Sequence, residues 1–275
     1  MSLPIKMTVQ CPKCGHSFQA MAYRSINTDL QKDLPKKIIS GEFFNAPCPR
    51  CKFVAHLQYN VLYNDLRHKA MIWVISPEMS TYEMDFREAR ASLQASQRMG
   101  CMTRIVNDMD ALREKVACLE SGRDDRIVEL IKPVLALKVT QDYPDFVYEK
   151  AFYTLSKGNE IVFLYGKAGQ EYQVVFPDDA YRIIEKQYKG KIDAFNYDPA
   201  PIIDDKWAKR FLGGEVDDEL LEDDEIEEDQ WEDKSDQENA DSFELPPIRF
   251  CRKCGKELLP DSDFCSYCGT KVIRG

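Results

Sequence analysis

The sequence predicts an α+β protein, and three of its features lead to this prediction. Cys-x-x-Cys pairs occur in two sets, one near the start of the chain and one at its end. Residues 53–63 alternate apolar and polar side chains, which is typical of a strand with one buried face. Residues 109–119 instead carry apolar side chains at helical spacing. We expect an antiparallel sheet built on a metal-bound ribbon and packed with helices, followed by a disordered acidic linker and a small second ribbon.

The cysteine pairs predict two tetrathiolate metal sites. The first set consists of Cys11, Cys14, Cys48 and Cys51, and the second of Cys251, Cys254, Cys265 and Cys268. Two thiolates two residues apart can hold an ion from a tight turn, and four of them complete the tetrahedral set typical of structural zinc. A closed set leaves no position for a catalytic water, so we expect two structural zinc ions. Iron is the alternative at the first site, because S₄ geometry suits either metal.

Short strands are predicted around the first cysteine set. The alternation of apolar residues indicates four of them, at 7–10, 17–26, 53–63 and 69–75. The first cysteine pair would then lie at the turn between the first two strands. A helix capped at residues 28–29 would end at Gly41, before the second pair.

Helices are expected in the next part of the chain. Their spacing and capping residues place them at 85–97, from 107 or 108 to a stop at Gly122, and from 124 to Pro133, which should kink or end the helix. A short strand at 102–106 separates the first two of these helices. Three β-rich runs between 146 and 176, and a helix from 177 to Gly190, then predict a small meander subdomain.

The chain of 275 residues is long enough for about two domains and further segments. Its first ten residues do not resemble a signal peptide, and no apolar run approaches the roughly 20 residues that a membrane helix needs. We therefore expect a cytoplasmic protein with no membrane partner. Thiols stay reduced in that compartment, which favours metal ligation over disulfides. A thioredoxin-like role for one pair is the alternative, but it requires a single pair in a βαβ setting.

Charge is distributed unevenly along the chain. Residues 215–244 hold seventeen acidic residues and one lysine, a charge of −16 that leaves +6 on the remaining residues. A segment of this composition cannot bury enough apolar surface to fold. We predict four parts: a zinc-binding domain at 1–139, a small β-meander and helix subdomain at 140–212, an acidic disordered linker at 213–247 and a zinc ribbon at 248–275.

Roughly the first 130 residues resemble the CpXC domain, a bacterial and archaeal family of uncharacterised activity. Two Cys-Pro-x-Cys motifs carry the resemblance, at 11–14 and 48–51, with support from the stretches at 37–45, 112–115 and 124–126. The chain departs from the family at Lys52, where glycine is usual. This resemblance implies a fold outline and a set of metal ligands, but no activity. Residues 250–272 resemble the zinc-ribbon modules found in many prokaryotic proteins, which bind proteins or nucleic acids or serve only to fold.

The sequence favours a non-enzymatic protein. It contains no nucleotide-binding loop, no zinc-protease motif and no serine-hydrolase motif, and its three histidines provide few general bases. We therefore expect an adaptor or regulator with two structural zinc sites, whose terminal ribbon recruits a protein partner. The alternative is a nucleic-acid-binding regulator in which the acidic segment competes for the binding surface. Basic and aromatic residues suited to phosphates and bases occur near the first ribbon: Arg24, Lys32, Lys36, Lys37, Arg50, Lys52, Phe18, Tyr23, Phe44 and Phe53.

Three further residues could take part in metal or thiol chemistry. Cys101 and Cys118 have no partner at Cys-x-x-Cys spacing, so we expect buried structural thiols. His16 follows the first cysteine pair, but four cysteines already complete that site, and we do not expect it to be a ligand.

Overall fold

The computed structural model describes residues 2–28, 33–78, 81–195 and 202–213. All of them belong to the first of the two units into which the chain divides, residues 1–219. The acidic segment at 215–244 and the second cysteine set lie outside the described residues. Helices and sheets both occur within them, and the predicted α+β class is confirmed.

The larger sheet has five strands in the order β1-β2-β5-β6-β7. Its strands are β1 (Leu3–Gln10), β2 (Ser17–Asn27), β5 (Val61–Asp65), β6 (Ala70–Val74) and β7 (Met102–Val106). The β1/β2 and β5/β6 pairs are antiparallel, whereas β2/β5 and β6/β7 are parallel. The sheet is therefore mixed rather than antiparallel as predicted. The parallel pairs arise because long connections, each containing a helix, join their strands.

The segment between β2 and β5 contains the second cysteine pair. It begins with α1 (Leu34–Ile39), continues through a 3₁₀ turn at Glu42–Phe44, and ends in the small antiparallel pair of β3 (Asn45–Pro47) and β4 (Val54–His56). The alternating run at 53–63 was predicted to be one strand, but it is divided between β4 and β5. The backbone leaves β4 at Leu57, whose N–H donates to the carbonyl of Phe44 at 2.9 Å.

Three helices follow β6. They are α2 (Tyr82–Arg98), which connects β6 to β7, α3 (Met109–Ser121) and α4 (Asp125–Asp142). The predicted caps of α3 are confirmed: Asp108 Oδ1 accepts from the N–H of Ala111 at 2.7 Å, and Gly122 has a φ of 68°. Pro133 was predicted to kink or end α4, and it does not end the helix, which continues for nine more residues.

A smaller antiparallel sheet follows, in the order β10-β9-β8, as the meander prediction requires. Its strands are β8 (Tyr148–Ser156), β9 (Asn159–Gly166) and β10 (Glu171–Val175). The next helix, α5 (Asp178–Phe195), passes through Gly190, where its end was predicted. A final helix, α6 (Asp205–Phe211), was not predicted at all.

One hydrophobic core joins the two sheets and most of the helices. Tyr63 from the larger sheet, Val116 of α3, Ile127 of α4, Tyr153 of β8 and Trp207 of α6 all belong to it. A second small cluster packs α2 against β7. Within the described residues, no helix has the length and apolar character needed to cross a membrane.

Candidate metal centre

The first cysteine set lies on two turns with the same backbone hydrogen bonds. At the β1–β2 turn, Cys11 N–H donates to the carbonyl of His16 and Gly15 N–H donates to the carbonyl of Cys11, both at 2.9 Å. At the β3–β4 turn, Cys48 N–H donates to the carbonyl of Phe53 at 2.8 Å, and Lys52 N–H donates to the carbonyl of Cys48 at 2.9 Å. The hairpins fix both turns, so each pair of thiols projects from a rigid base.

The two turns bring their four sulfur atoms together. Cys11 Sγ lies 3.6 Å from Cys51 Sγ, and Cys14 Sγ lies 3.8 Å from Cys48 Sγ. All four sulfurs lie within 4.8 Å of one another. A tetrahedron with metal–sulfur bonds of about 2.3 Å has edges of about 3.8 Å, whereas a disulfide requires about 2.05 Å. The spacing therefore fits four thiolates around one ion, and the cysteines are free thiols.

Protein groups surround this cluster and orient its sulfurs. Cys11 and Cys48 are buried, and Cys14 and Cys51 are half-buried. Burial opposes ionisation of Cys48, but hydrogen bonds from the backbone N–H groups of Cys51 and Arg50 lower its pKa to about 7. A backbone hydrogen bond from His16 favours the Cys14 thiolate, yet burial and the neighbouring thiols raise its pKa to about 11. A bound cation would supply the positive charge that four adjacent thiolates need.

The sequence of this part of the chain matches a known family. Residues 9–132 match the CpXC protein family. This match begins just before the first cysteine, includes all four cysteines of the cluster and ends within α4. Residues 250–272 match the zinc-ribbon domain and include the second cysteine set. Neither the curated proteins nor the solved structures gave a match.

The two family matches and the Cys₄ cluster indicate a zinc-binding protein. In the CpXC region, the cluster contains only cysteine: His16 is half-buried on the first turn but is not part of it. Lys52 occupies the position in the second turn that Gly15 has in the first, and it adopts the same left-handed conformation, with a φ of 61° against 68° for Gly15. The turn is thus formed without glycine, at the cost of a strained lysine backbone.

The other candidate residues have different environments. Cys118 is buried in the core as predicted, whereas Cys101 is only half-buried. Among the aromatic residues considered for base stacking, Phe44 is buried, while Phe18 and Tyr23 are half-buried. Lys32 lies outside the described residues.

A second ligand-rich cluster was missed by the sequence analysis. Asp65, His68 and Glu120 place their ligand atoms within 4.8 Å of one another, although Glu120 is more than fifty residues away in the sequence. Only the pairing of β5 with β6 and the packing of α3 bring them together. The guanidinium of Arg67 already contacts both carboxylates, and Asp65 Oδ2 accepts from Tyr63 Oη at 3.1 Å. Because this cluster has its own cation, we assign no metal to it.

Proposed function

We propose that this chain is a cytoplasmic, non-enzymatic zinc protein, an adaptor with a structural Cys₄ site in each cysteine set, whose terminal ribbon recruits a protein partner. The arrangement of the first site is the main support. Its four sulfurs come from two hairpin turns, and a closed tetrathiolate set offers no open coordination position for a substrate or water. Such a site stabilises a fold and does not perform chemistry.

Metal analysis of the purified full-length chain tests this proposal. We expect two zinc ions per chain, falling to one in Cys14→Ser and to one in Cys254→Ser. A red protein that absorbs as an iron tetrathiolate would contradict the zinc assignment at the site concerned. Unchanged binding of partners from the native cell after deletion of residues 248–275 would contradict the role of the terminal ribbon.

One feature of the first site supports nucleic-acid binding as a second candidate function. Lys13, Arg50 and Lys52 are exposed on the two cysteine turns. Beside these turns, a groove of about 560 Å³ is lined by the half-buried rings of Phe18 and Tyr23. Exposed cations next to aromatic rings suit phosphates and unstacked bases.

A mobility-shift titration with labelled single-stranded DNA and RNA separates the two candidates. If nucleic acid is the ligand, affinity should fall steeply with salt, and the triple change of Lys13, Arg50 and Lys52 to alanine should weaken binding and reduce the salt slope. The matched control changes Arg87, Arg90 and Arg98 of α2 to alanine. No shift at low salt, or equal losses in the two triple variants, would reject this second function.

A further inference from the structure

A cleft separate from the cysteine cluster is built from residues that lie far apart in the sequence. It has a volume of about 580 Å³, within the range of small-molecule sites. Its walls come from the end of α1, the first turns of α3, α4, strands β8 and β9, and the segment that leads into α6. None of the four clustered cysteines lines it.

Charged side chains are buried at the floor of this cleft. Lys132 Nζ, on α4, donates to Glu114 Oε1 at 2.6 Å and to Glu129 Oε1 at 2.8 Å. Lys115 Nζ, on α3, donates to the carbonyl of Ile203 at 2.6 Å and to Glu129 Oε1 at 3.3 Å. Each of these four charged residues is at most 6% exposed.

This network extends below the cleft to a buried ion pair. Arg104 makes a bidentate contact with Asp125 at 2.7 and 2.8 Å, and Asp125 lies 3.3 Å from Lys115 Nζ. Burying six charged groups is costly, and apolar residues of similar volume often give an equal or greater stability. Stability alone therefore does not explain the network. A polar binding site, in contrast, requires groups that are held in place by their neighbours.

The lysines at the floor are fixed as cations. Burial works against the charged form of Lys132, but Glu114 and Glu129 keep its pKa above the ordinary value. Burial also lowers the pKa of Lys115, but the carboxylates of Asp125 and Glu129 raise it above the ordinary value. Neither amine is available as a nucleophile at neutral pH. The floor acts as a rigid polar base, and reactive chemistry is not expected there.

The charges around the cleft select the kind of ligand. Its described lining carries seven carboxyl groups and four basic groups. Four carboxylates are exposed at the rim, those of Asp108, Asp110, Glu149 and Asp205. Asp110 is already paired with Arg113 at 2.5 Å, and Asp205 with Lys209 at 3.4 Å. This excess of negative charge repels phosphates and carboxylates and attracts cations.

The wall of the cleft is aromatic and already accepts cations. Arg113 lies over the ring of Phe152 at 5.1 Å, and Lys150 lies over the ring of Tyr165 at 5.3 Å. The rings of Phe163 and Tyr165 are stacked, 6.3 Å apart. Aromatic faces of this kind attract ammonium and guanidinium groups and also pack against their apolar stems.

A polar group in the wall remains available to a ligand. The side chain of Tyr148 is half-buried in the lining, and its hydroxyl makes no hydrogen bond to the rest of the described chain. Burial raises the pKa of this phenol to about 12, so the group is a neutral donor and acceptor. It can accept a hydrogen bond from a cationic N–H group.

We propose that this cleft binds an organic cation, an ammonium or guanidinium group on an apolar stem. The charged end is held by the exposed carboxylate of Glu149 and the Tyr148 hydroxyl, and the stem packs on Phe163 and Tyr165. A free polyamine and a basic side chain of a peptide share this chemistry. The site extends the adaptor proposal, since none of the four clustered cysteines lines it.

Calorimetric titration of the zinc-loaded full-length protein at 0.15 M salt tests this proposal. The probes are spermidine, acetyl-arginine amide, acetyl-lysine amide and the neutral acetyl-glutamine amide. We expect at least one cationic probe to bind with one site per chain and to shift the NMR signals of Tyr165, while the neutral probe does neither. Tighter binding of spermidine would identify a free polyamine as the ligand class. Tighter binding of a capped residue would identify a peptide side chain.

Paired variants locate the binding in the cleft. Glu149→Gln and Tyr148→Phe should each weaken binding of the best probe at least fivefold. The matched controls are Glu88→Gln, an exposed carboxylate on α2, and Tyr172→Phe, a half-buried tyrosine on β10 outside the cleft. Each variant is first checked for an unchanged melting temperature. No binding of any cationic probe, or equal losses in the cleft variants and their controls, would overturn the proposal.

Discussion

The two cysteine turns reach the same backbone conformation with different residues. Gly15 has no side chain, and a Cβ atom built there would meet nothing within 4 Å, so its only special requirement is a positive φ. Lys52 meets the same requirement with a side chain. The sequence reveals the first turn through its glycine, whereas the conformation of the second follows only from its hydrogen bonds.

Lys52→Gly should therefore stabilise the zinc-loaded protein by about 1 kcal/mol, because a left-handed backbone costs an L-residue roughly 1–2 kcal/mol. Gly15→Ala, in the equivalent turn, should destabilise it by a similar amount. Denaturant unfolding followed by circular dichroism measures both changes. A loss of stability in Lys52→Gly would show that the lysine side chain makes a favourable contact that outweighs the backbone strain.

Buried carboxyl groups also make stability depend on pH. Burial raises the pKa of Glu114 from its ordinary 4.5 to about 7, although Lys132 and Lys115 act in the opposite direction and Glu129 adds to the rise. Its second oxygen accepts the N–H of Tyr153 at 2.7 Å. The pKa values of Asp125 and Glu129 are instead lowered, since burial is outweighed mainly by Arg104 and Lys115 for Asp125 and by the two lysines for Glu129.

A group with a raised pKa binds more protons in the folded state, so its contribution to stability declines as the pH rises from about 4.5 through 7. Glu114→Gln should remove this decline. The difference in unfolding free energy between the variant and the wild type should therefore shift in favour of the variant by on the order of 2 kcal/mol from pH 5 to pH 8. Asp125 and Glu129 titrate below this window. The measurement is the unfolding free energy of variant and wild type at several pH values, with Glu88→Gln as the control. A difference between Glu114→Gln and the wild type that does not change with pH would show that Glu114 is ionised throughout.

At the scale of elements, local signals were accurate where a residue acts on its own helix or turn. Asp108 and Gly122 mark the ends of α3 because a cap is a contact within a few residues. Pro133 and Gly190 misled the prediction because tertiary packing stabilises their helices. Beyond the proline, one face of α4 is buried through Leu135 and Val139, which are four residues apart. The mixed sheet was missed because strand direction depends on long connections.

Helix α6 is the clearest example of an element that packing creates. Its seven residues are too few for independent stability, and its capping residue Asp204 accepts from the N–H of Trp207 at 2.9 Å. Trp207 is 3% exposed, and its ring packs against Phe195 and Phe211. Phe211 belongs to α6 itself, whereas Phe195 is the last residue of α5, so part of the anchoring comes from another element.

Trp207→Ala should accordingly destabilise the first unit by about 3 kcal/mol or more, the usual cost of removing a large buried aromatic side chain. Lys206→Ala, at an exposed position of the same helix, should change stability by less than about 0.5 kcal/mol. Both are measured by denaturant unfolding. A small effect of Trp207→Ala would mean that α6 does not belong to the main cooperative core.

At the scale of the whole molecule, the cysteine spacing predicted which four thiols would meet at the first site, and the structure places them at metal-binding distances. The spacing could not predict the cleft above Glu114 and Lys132. Its walls come from six elements between residues 39 and 205, and no short motif marks a site assembled over that span. The single core that connects α3, β8 and α6 is what creates it.

The two cysteine sets should also differ in their importance for the first unit. Cys14 lies in the β1–β2 turn, and its metal would connect that hairpin to the β3–β4 pair. Cys14→Ser should therefore destabilise residues 1–219 by several kcal/mol, since structural zinc contributes roughly 10 kcal/mol or more to the folding of small zinc domains. Cys254 lies in the other unit, so Cys254→Ser should leave the unfolding of residues 1–219 unchanged.

The measurement is thermal unfolding followed by circular dichroism at 222 nm, with zinc content determined in parallel. Cys101→Ser is the control for the loss of a thiol outside the cluster. The large drop in melting temperature should occur in Cys14→Ser alone. Equal drops in Cys14→Ser and Cys254→Ser would show that the second site stabilises the first unit, and the two metal sites would then have to be treated as parts of one cooperative fold.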